Sequence, residues 1–320
     1  LLNNPVRFAE LNAPMSPAHP CNKCSMAESS GLISYKQTFD STVTATPGIQ
    51  FLDIRNTNFC NLKCMMCNPW SSSQVEQEYR ANQTAFAKIG VIYNADKFND
   101  DWWRDSKLVD KMLEIIAQAR FVNFSGGEPL LIPAFYHMLD RMQSHVVINI
   151  NTNLTRLTDQ AIELFRKFPK IHIQVSLDGV GAHHEYVRWQ SSWLDIDQNI
   201  HKLIGNGIPL SFSYLLHHTS VWSWPNLWTY LKPFNTKIFV LPVYKNTING
   251  TLTQSSVAPK DWQKFVDWHK TNSTPYDHII DQWIADYEFD SIKHEHFKNY
   301  VQTLDSIRGS DFKSTFNPSW

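Results

Sequence analysis

From residue 49 onward, short apolar runs alternate with longer amphipathic stretches. The runs at 49–56, 121–125, 146–151, 171–177, 210–215 and 237–241 are bounded by turn residues and read as strands. Between them, apolar positions recur at helical spacing over 73–88, 106–118, 133–142, 158–167 and 194–204, and a Trp-rich stretch covers 222–231. A strand followed by a helix, repeated six times, predicts an α/β fold in which a parallel sheet is covered by helices through right-handed connections. An open sheet and a barrel share this pattern.

The flanks break the alternation. Residues 1–48 are rich in Pro, Ser, Thr and Asn with weak periodicity, so they read as an irregular N-terminal arm. Past about Gly250 the strands stop and helical segments follow near 259–270, 278–288 and 291–307. Their aromatic residues, among them Trp262, Trp283, Phe297 and Tyr300, suit packing against the preceding part. The expected organisation is therefore an arm (1–48), a core (49–250) and a C-terminal helical extension (251–320).

The first strand runs into a loop that carries three of the five cysteines, Cys60, Cys64 and Cys67. Thiols this close together can grip one metal centre. A closed zinc site would want a fourth Cys or His nearby, and none lies between Cys67 and His137, so three thiolates with one vacancy suit an iron–sulfur cluster better. Three close cysteines also occur as buried thiols or as half of a split zinc site. The second strand, at 121–125, runs into Gly126-Gly127-Glu128-Pro129. Two glycines let the backbone approach a ligand, and the adjacent carboxylate can accept from an ammonium group. A tight strand-to-helix turn with a solvated Glu would look the same.

The two motifs in this order resemble the radical S-adenosylmethionine (SAM) superfamily, and its MoaA-like, twitch-type members in particular. The resemblance implies a partial (β/α)6 TIM-like barrel with its reactive centre at the carboxyl ends of the strands. It implies that Cys60, Cys64 and Cys67 hold three irons of a [4Fe–4S] cluster and that the fourth iron chelates SAM. Electron transfer then cleaves SAM to methionine and a 5′-deoxyadenosyl radical. Gly126, Gly127 and Glu128 would meet the amino group of SAM. Asn153, favoured slightly over Asn151, falls in a Thr-Asn segment whose amides can bond ribose, although both could simply cap the turn. Ser176 stands in an S-x-D-G stretch where the family serine lies near SAM, and such a stretch is also an ordinary Asp-Gly turn. Arg188, in a segment ending Val-Arg, would pair with the SAM carboxylate or else be a surface arginine. Met66 replaces the aromatic residue that many members place before the third cysteine, and its thioether could cover adenine.

The arm holds Cys21-Asn22-Lys23-Cys24, followed by Glu28 and Gly31, and resembles a segment that precedes the barrel in twitch-type relatives. Cys21 and Cys24 could bind an auxiliary metal or serve as a structural or redox pair. Asp305-Ser306-Ile307-Arg308-Gly309 resembles the C-terminal ending of those relatives, but residues 68–320 contain no cysteine, so no second cluster with C-terminal thiolate ligands is expected. Histidines at 183–184, 217–218, 294 and 296 read as solvated turn or helix-face residues, with His217 a candidate substrate contact.

Composition narrows the function classes. A net charge of −1 without blocks of like charge gives no sign of a nucleic-acid or membrane surface recognised through charge. No apolar run reaches the length of a membrane span, Leu1-Leu2-Asn3-Asn4-Pro5 has neither the basic start nor the apolar core of a secretory signal, and clustered cysteines favour a reducing, cytoplasmic setting. The expectation is a radical SAM enzyme that draws electrons from a donor such as a flavodoxin or ferredoxin and abstracts hydrogen from a peptide or protein. The alternatives are modification of a small molecule or nucleotide, and a non-catalytic iron–sulfur binding or scaffold protein.

Overall fold

The computed structural model describes Ser25, Glu28, Ile49 and residues 51–55, 57–92, 101–243 and 251–320. Cys21 and Cys24, with their expected auxiliary site, lie outside the described residues. The chain divides into two compact units, Leu1–Gln50 and Phe51–Trp320.

Among the described residues, six strands form one parallel sheet: β1 (Phe51–Arg55), β3 (Phe121–Ser125), β4 (Val147–Thr152), β5 (Ile171–Ser176), β7 (Leu210–Leu216) and β8 (Ile238–Pro242). They pair in chain order, so every strand–helix unit lies beside the previous one, and β1 and β8 are left at the two edges of a partial barrel. Each strand falls within one residue or two of an apolar run visible in the sequence. A separate antiparallel pair joins two very short strands, β2 (Lys63–Cys64) and β6 (Arg188–Trp189), with Cys64 opposite Arg188.

The intervening helices are α1 (Ser73–Ala81), α2 (Gln83–Lys88), α3 (Ser106–Ile116), α4 (Pro133–Arg141), α5 (Asp159–Arg166), α6 (Ala182–Val187), α7 (Trp193–Gly205) and α8 (Ser220–Leu231). Several begin where a short polar side chain can accept from a free backbone N–H: Ser72 from Val75, Thr158 from Ala161 and Ser192 from Asp195. The single helix expected over 73–88 is divided at Asn82. There the backbone leaves helical geometry (φ −127°, ψ 30°) and the side-chain amide donates to Glu78 O at 2.8 Å, competing with the helix ladder.

Side chains alternate along the strands. Ile54, Val122, Phe124, Ile148, Ile150, Ile173 and Val175 are buried on one face, and burying each such side chain contributes about 1.5–3 kcal/mol. The opposite, inner face is polar and partly accessible. Asn123 donates to Asp53 Oδ1 at 2.7 Å, Asn149 donates to Asn123 Oδ1 at 2.7 Å, and Gln174 continues the row. A closed eight-stranded barrel fills this space with apolar layers, whereas here amides line it.

The C-terminal helices α9 (Pro259–Thr271), α10 (Asp277–Ala285), α11 (Ser291–Arg308) and α12 (Phe312–Phe316) complete the unit. Phe297, Tyr300, Val301 and Leu304 of α11 share a buried cluster with Met65, Val75, Tyr79 and Val187. The C-terminal extension is thereby packed against the cysteine loop and α1. Among the described residues no helix is long and apolar enough to cross a membrane.

Candidate functional site

The loop after β1 is fixed from several directions, each by a backbone group that would otherwise lack a partner. Ser72 Oγ donates to Leu62 O at 2.7 Å, Ser73 Oγ receives the Cys60 N–H at 3.2 Å, and Met65 N donates to Val187 O at 2.8 Å. Tyr300 on α11 donates its hydroxyl to Met65 O at 2.8 Å, between the second and third cysteines. Cys67 N closes a tight turn onto Cys64 O at 3.0 Å.

The glycine pair after β3 lies against that loop. Gly126 and Gly127 have φ of +76° and +51°, and a Cβ on Gly127 would fall 2.3 Å from Phe59 O and 2.8 Å from Thr57 O. Only a residue without a side chain allows this approach, which Glu128 N completes by donating to Phe59 O at 2.9 Å. The two motifs are thus joined through backbone atoms.

A cavity of about 140 Å³ lies where the segments meet. Cys60, Cys64, Cys67, Gly126, Gly127, Asn153, Ser176 and Arg188 line it, all singled out in the sequence, and they come from the loops after β1, β3 and β4, the last residue of β5, and the short strands β2 and β6. Leu62, Ser71, Ser72, Asn151 and Thr152 complete the wall. Of these, Asn151 was the weaker alternative to Asn153 in the sequence. Asn153 Nδ2 donates to Asn61 Oδ1 at 3.1 Å and lies 3.9 Å from Cys60 Sγ. The next residue, Leu154, is buried at a φ of +54°, an unfavourable conformation for a branched-chain residue held by its N–H bond to Thr152 Oγ1 at 2.9 Å. No sequence pattern announces it.

Two residues expected at the cavity do not line it. Met66 packs with the buried cluster formed by α1, α6 and α11. Glu128 is buried and turned into the protein, where its carboxylate accepts from Thr152 Oγ1 at 2.7 Å, Asn153 N at 2.7 Å and Leu130 N at 3.0 Å. Burial raises its pKa and the three donors oppose that rise. This carboxylate ties the end of β4 to the glycine turn. Glu128→Ala is accordingly expected to destabilise the metal-free protein by about 1–3 kcal/mol, because it strands buried donors. Urea unfolding checks this, and an unchanged midpoint would show that the three bonds contribute nothing.

The thiols are the chemical core. Burial, and next the neighbouring Cys64, pushes Cys60 and Cys67 up to about 12, and burial raises Cys64 against the opposing charge of Arg188. Without a bound cation they are thiols, so ligation would release protons. Among the described residues no three His, Cys, Asp or Glu side chains converge closely enough to hold a single metal ion. Three cysteines spread around one cavity form a donor set that fits a polynuclear iron–sulfur group better than a lone zinc ion.

Four of the histidines differ from their expected solvated setting, whereas His296 is exposed as expected. His184, His217, His218 and His294 are buried. His218 stacks on Phe297 with centroids 3.4 Å apart and bonds Ser256 Oγ, while His294 bonds Ser256 O at 2.7 Å. Burial lowers His217 to about 4, so it is neutral at physiological pH, and it does not line the cavity.

Comparison with known proteins bears on these motifs. Residues 54–227, just over half of the chain, match the family model described as the radical SAM superfamily. The mycofactocin maturase MftC of Mycobacterium tuberculosis is 25% identical over 127 residues, which is 39% of this chain and 27% of that protein. The chain thus spans about a quarter of the length of that relative. Among solved structures, SuiB of Streptococcus suis bound to the precursor peptide SuiA is similar at 15% identity and a TM-score of 0.46, over 96% of this chain and 62% of that one. The structure of anSMEcpe with bound AdoMet and the Cp18Cys peptide is similar at 16% identity and a TM-score of 0.43, over 69% of this chain and 58% of that one. On the match of its family model, the chain belongs to the radical SAM superfamily.

Proposed function

We propose that this protein is an enzyme that holds a [4Fe–4S] cluster on Cys60, Cys64 and Cys67, binds SAM beside it, and uses reductive cleavage of SAM to abstract hydrogen from a peptide or protein. The observation that carries this reading is the single cavity lined by the three thiols, the glycine pair and Arg188. When bound, the cluster and SAM supply one-electron chemistry that no amino-acid side chain provides.

The chain's own residues position and shield. Gly126 and Gly127 bring the β3 turn onto the cysteine loop, and the buried Glu128 orders Thr152 and Asn153 at the cavity wall. Arg188 presents a planar guanidinium that suits a carboxylate such as that of SAM. Cys60 is buried, while Cys64 and Cys67 are half-buried and open onto the cavity. An external reductant of the flavodoxin or ferredoxin type would deliver the electron.

The polar inner face supports a peptide substrate, because the amides of Asn123, Asn149, Asn151 and Gln174 offer donors and acceptors that complement a peptide backbone. The partial match to a protein named as a maturase agrees with this choice. Anaerobic incubation of the reconstituted protein with SAM and dithionite is expected to yield 5′-deoxyadenosine and methionine. Persistent absence of 5′-deoxyadenosine, with the cluster intact and candidate peptides present, would favour a non-catalytic iron–sulfur protein instead.

A further inference from the structure

The short β2–β6 ladder places Arg188 directly opposite Cys64, and the flanking Met65 N–Val187 O bond of 2.8 Å holds this register. Arg188 reaches across to Cys64, with one terminal guanidinium nitrogen 4.0 Å from Sγ. Its Nε donates to Asp178 Oδ2 at 2.6 Å. Asp178 follows β5, is fully buried, and is fixed through Oδ1 by the Leu215 N–H at 3.3 Å and through its own N–H by His184 Nδ1 at 3.4 Å. The guanidinium therefore has three neighbours: a rigid carboxylate behind it, a thiol at one nitrogen and the cavity in front. Among the described residues lining the cavity it is the only cation.

We propose that Asp178 is a positioning residue that locks the Arg188 guanidinium between Cys64 Sγ and the cavity, so that one cation serves both the cluster ligand and the anionic end of the molecule bound beside it. This rests on the functional reading above. A planar guanidinium gripped at Nε cannot turn without breaking a charge-assisted bond, so its other N–H groups keep fixed directions. A positive charge and an N–H donor at a cluster sulfur stabilise the more negative, reduced state and raise the reduction potential. The same cation attracts a carboxylate in the cavity. Loss of the Asp178 grip should therefore weaken two properties together.

The experiment compares reconstituted wild type with Asp178→Asn and with the double variant Asp178→Leu/Arg188→Met. The double variant removes both charges of the buried pair and so avoids leaving one unpaired. Midpoint potential is read by redox titration with spin-resonance detection, and SAM affinity by equilibrium dialysis. The double variant is expected to retain cluster content, bind SAM at least tenfold more weakly and shift the reduction equilibrium about tenfold toward the oxidised form, which is 59 mV for one electron.

Asp178→Asn is the sharper test. It deletes a negative charge, so a through-space effect alone would raise the potential. Release of Arg188 lowers it and weakens SAM binding at the same time. A raised potential in Asp178→Asn with SAM affinity unchanged would overturn the positioning role, as would a double variant equal to wild type in both measurements. A wild-type protein that takes up no cluster would overturn the functional reading, and this inference with it. A loaded wild type beside unaltered variants overturns the inference alone.

Discussion

Cys60→Ala, Cys64→Ala and Cys67→Ala should each abolish the visible absorption and iron content that anaerobic reconstitution confers on the wild type. The three sulfurs line one cavity and no spare cysteine lies on residues 68–320, so no C-terminal thiolate can replace a missing ligand. Each substitution leaves the loop's backbone bonds to Ser72, Val187 and Tyr300 untouched, and the metal-free variants should therefore unfold near the wild-type midpoint. Full cluster content in all three variants would sink the assignment of these ligands. Loss of cluster accompanied by loss of fold would point to a structural role for the thiols.

The second large effect concerns the contact between the two ends of the unit. Arg308 on α11 grips Glu78 on α1 through two parallel bonds, Nε to Oε1 at 3.0 Å and a terminal nitrogen to Oε2 at 2.7 Å, and both side chains are almost fully buried. Lys63, one residue before Cys64, adds a third charge 3.7 Å from Glu78. Removing one member of such a pair typically costs about 3–5 kcal/mol, because the other is left charged and desolvated. Glu78→Ala should lose that much in denaturant unfolding, a large share of the roughly 5–15 kcal/mol that stabilises most domains. Glu78→Leu/Arg308→Met should recover most of it. A single variant that loses less than about 1 kcal/mol would show that water reaches the pair and screens it.

The legible parts of this chain are those with a period or a motif. Runs such as those preceding Gly126 and Asn153 carry branched and aromatic residues between turn signals, and they became β3 and β4. The cysteines, the glycine pair and Arg188 could be singled out from local spacing and resemblance, and the structure brings them to one wall. Two-residue strands have no period, so the β2–β6 ladder and the meeting of Cys64 with Arg188 were invisible. Glu128 shows the complementary limit. Its place beside the glycines was plain, but its direction depends on Thr152 and Asn153 some 25 residues away. The burial of His218 and His294 was hidden for a similar reason, since His218 stacks on Phe297 of α11 and both bond Ser256, which is 38 residues from either in the chain. Met66 likewise took its side from the distant C-terminal helices.

The alternation along the sheet also separates two kinds of variation. Ile148 and Ile150 are buried in the core, while Asn149 between them faces the accessible interior and bonds only other polar side chains. A change at the isoleucines alters the volume of a close-packed layer and is felt as lost stability. A change at Asn149 or Asn123 rewrites the pattern of donors and acceptors inside the barrel with little effect on that layer. Adjacent codons thus answer to different demands, and the lining of the barrel is free to diverge among descendants of one ancestral scaffold while the layer beneath it stays the same.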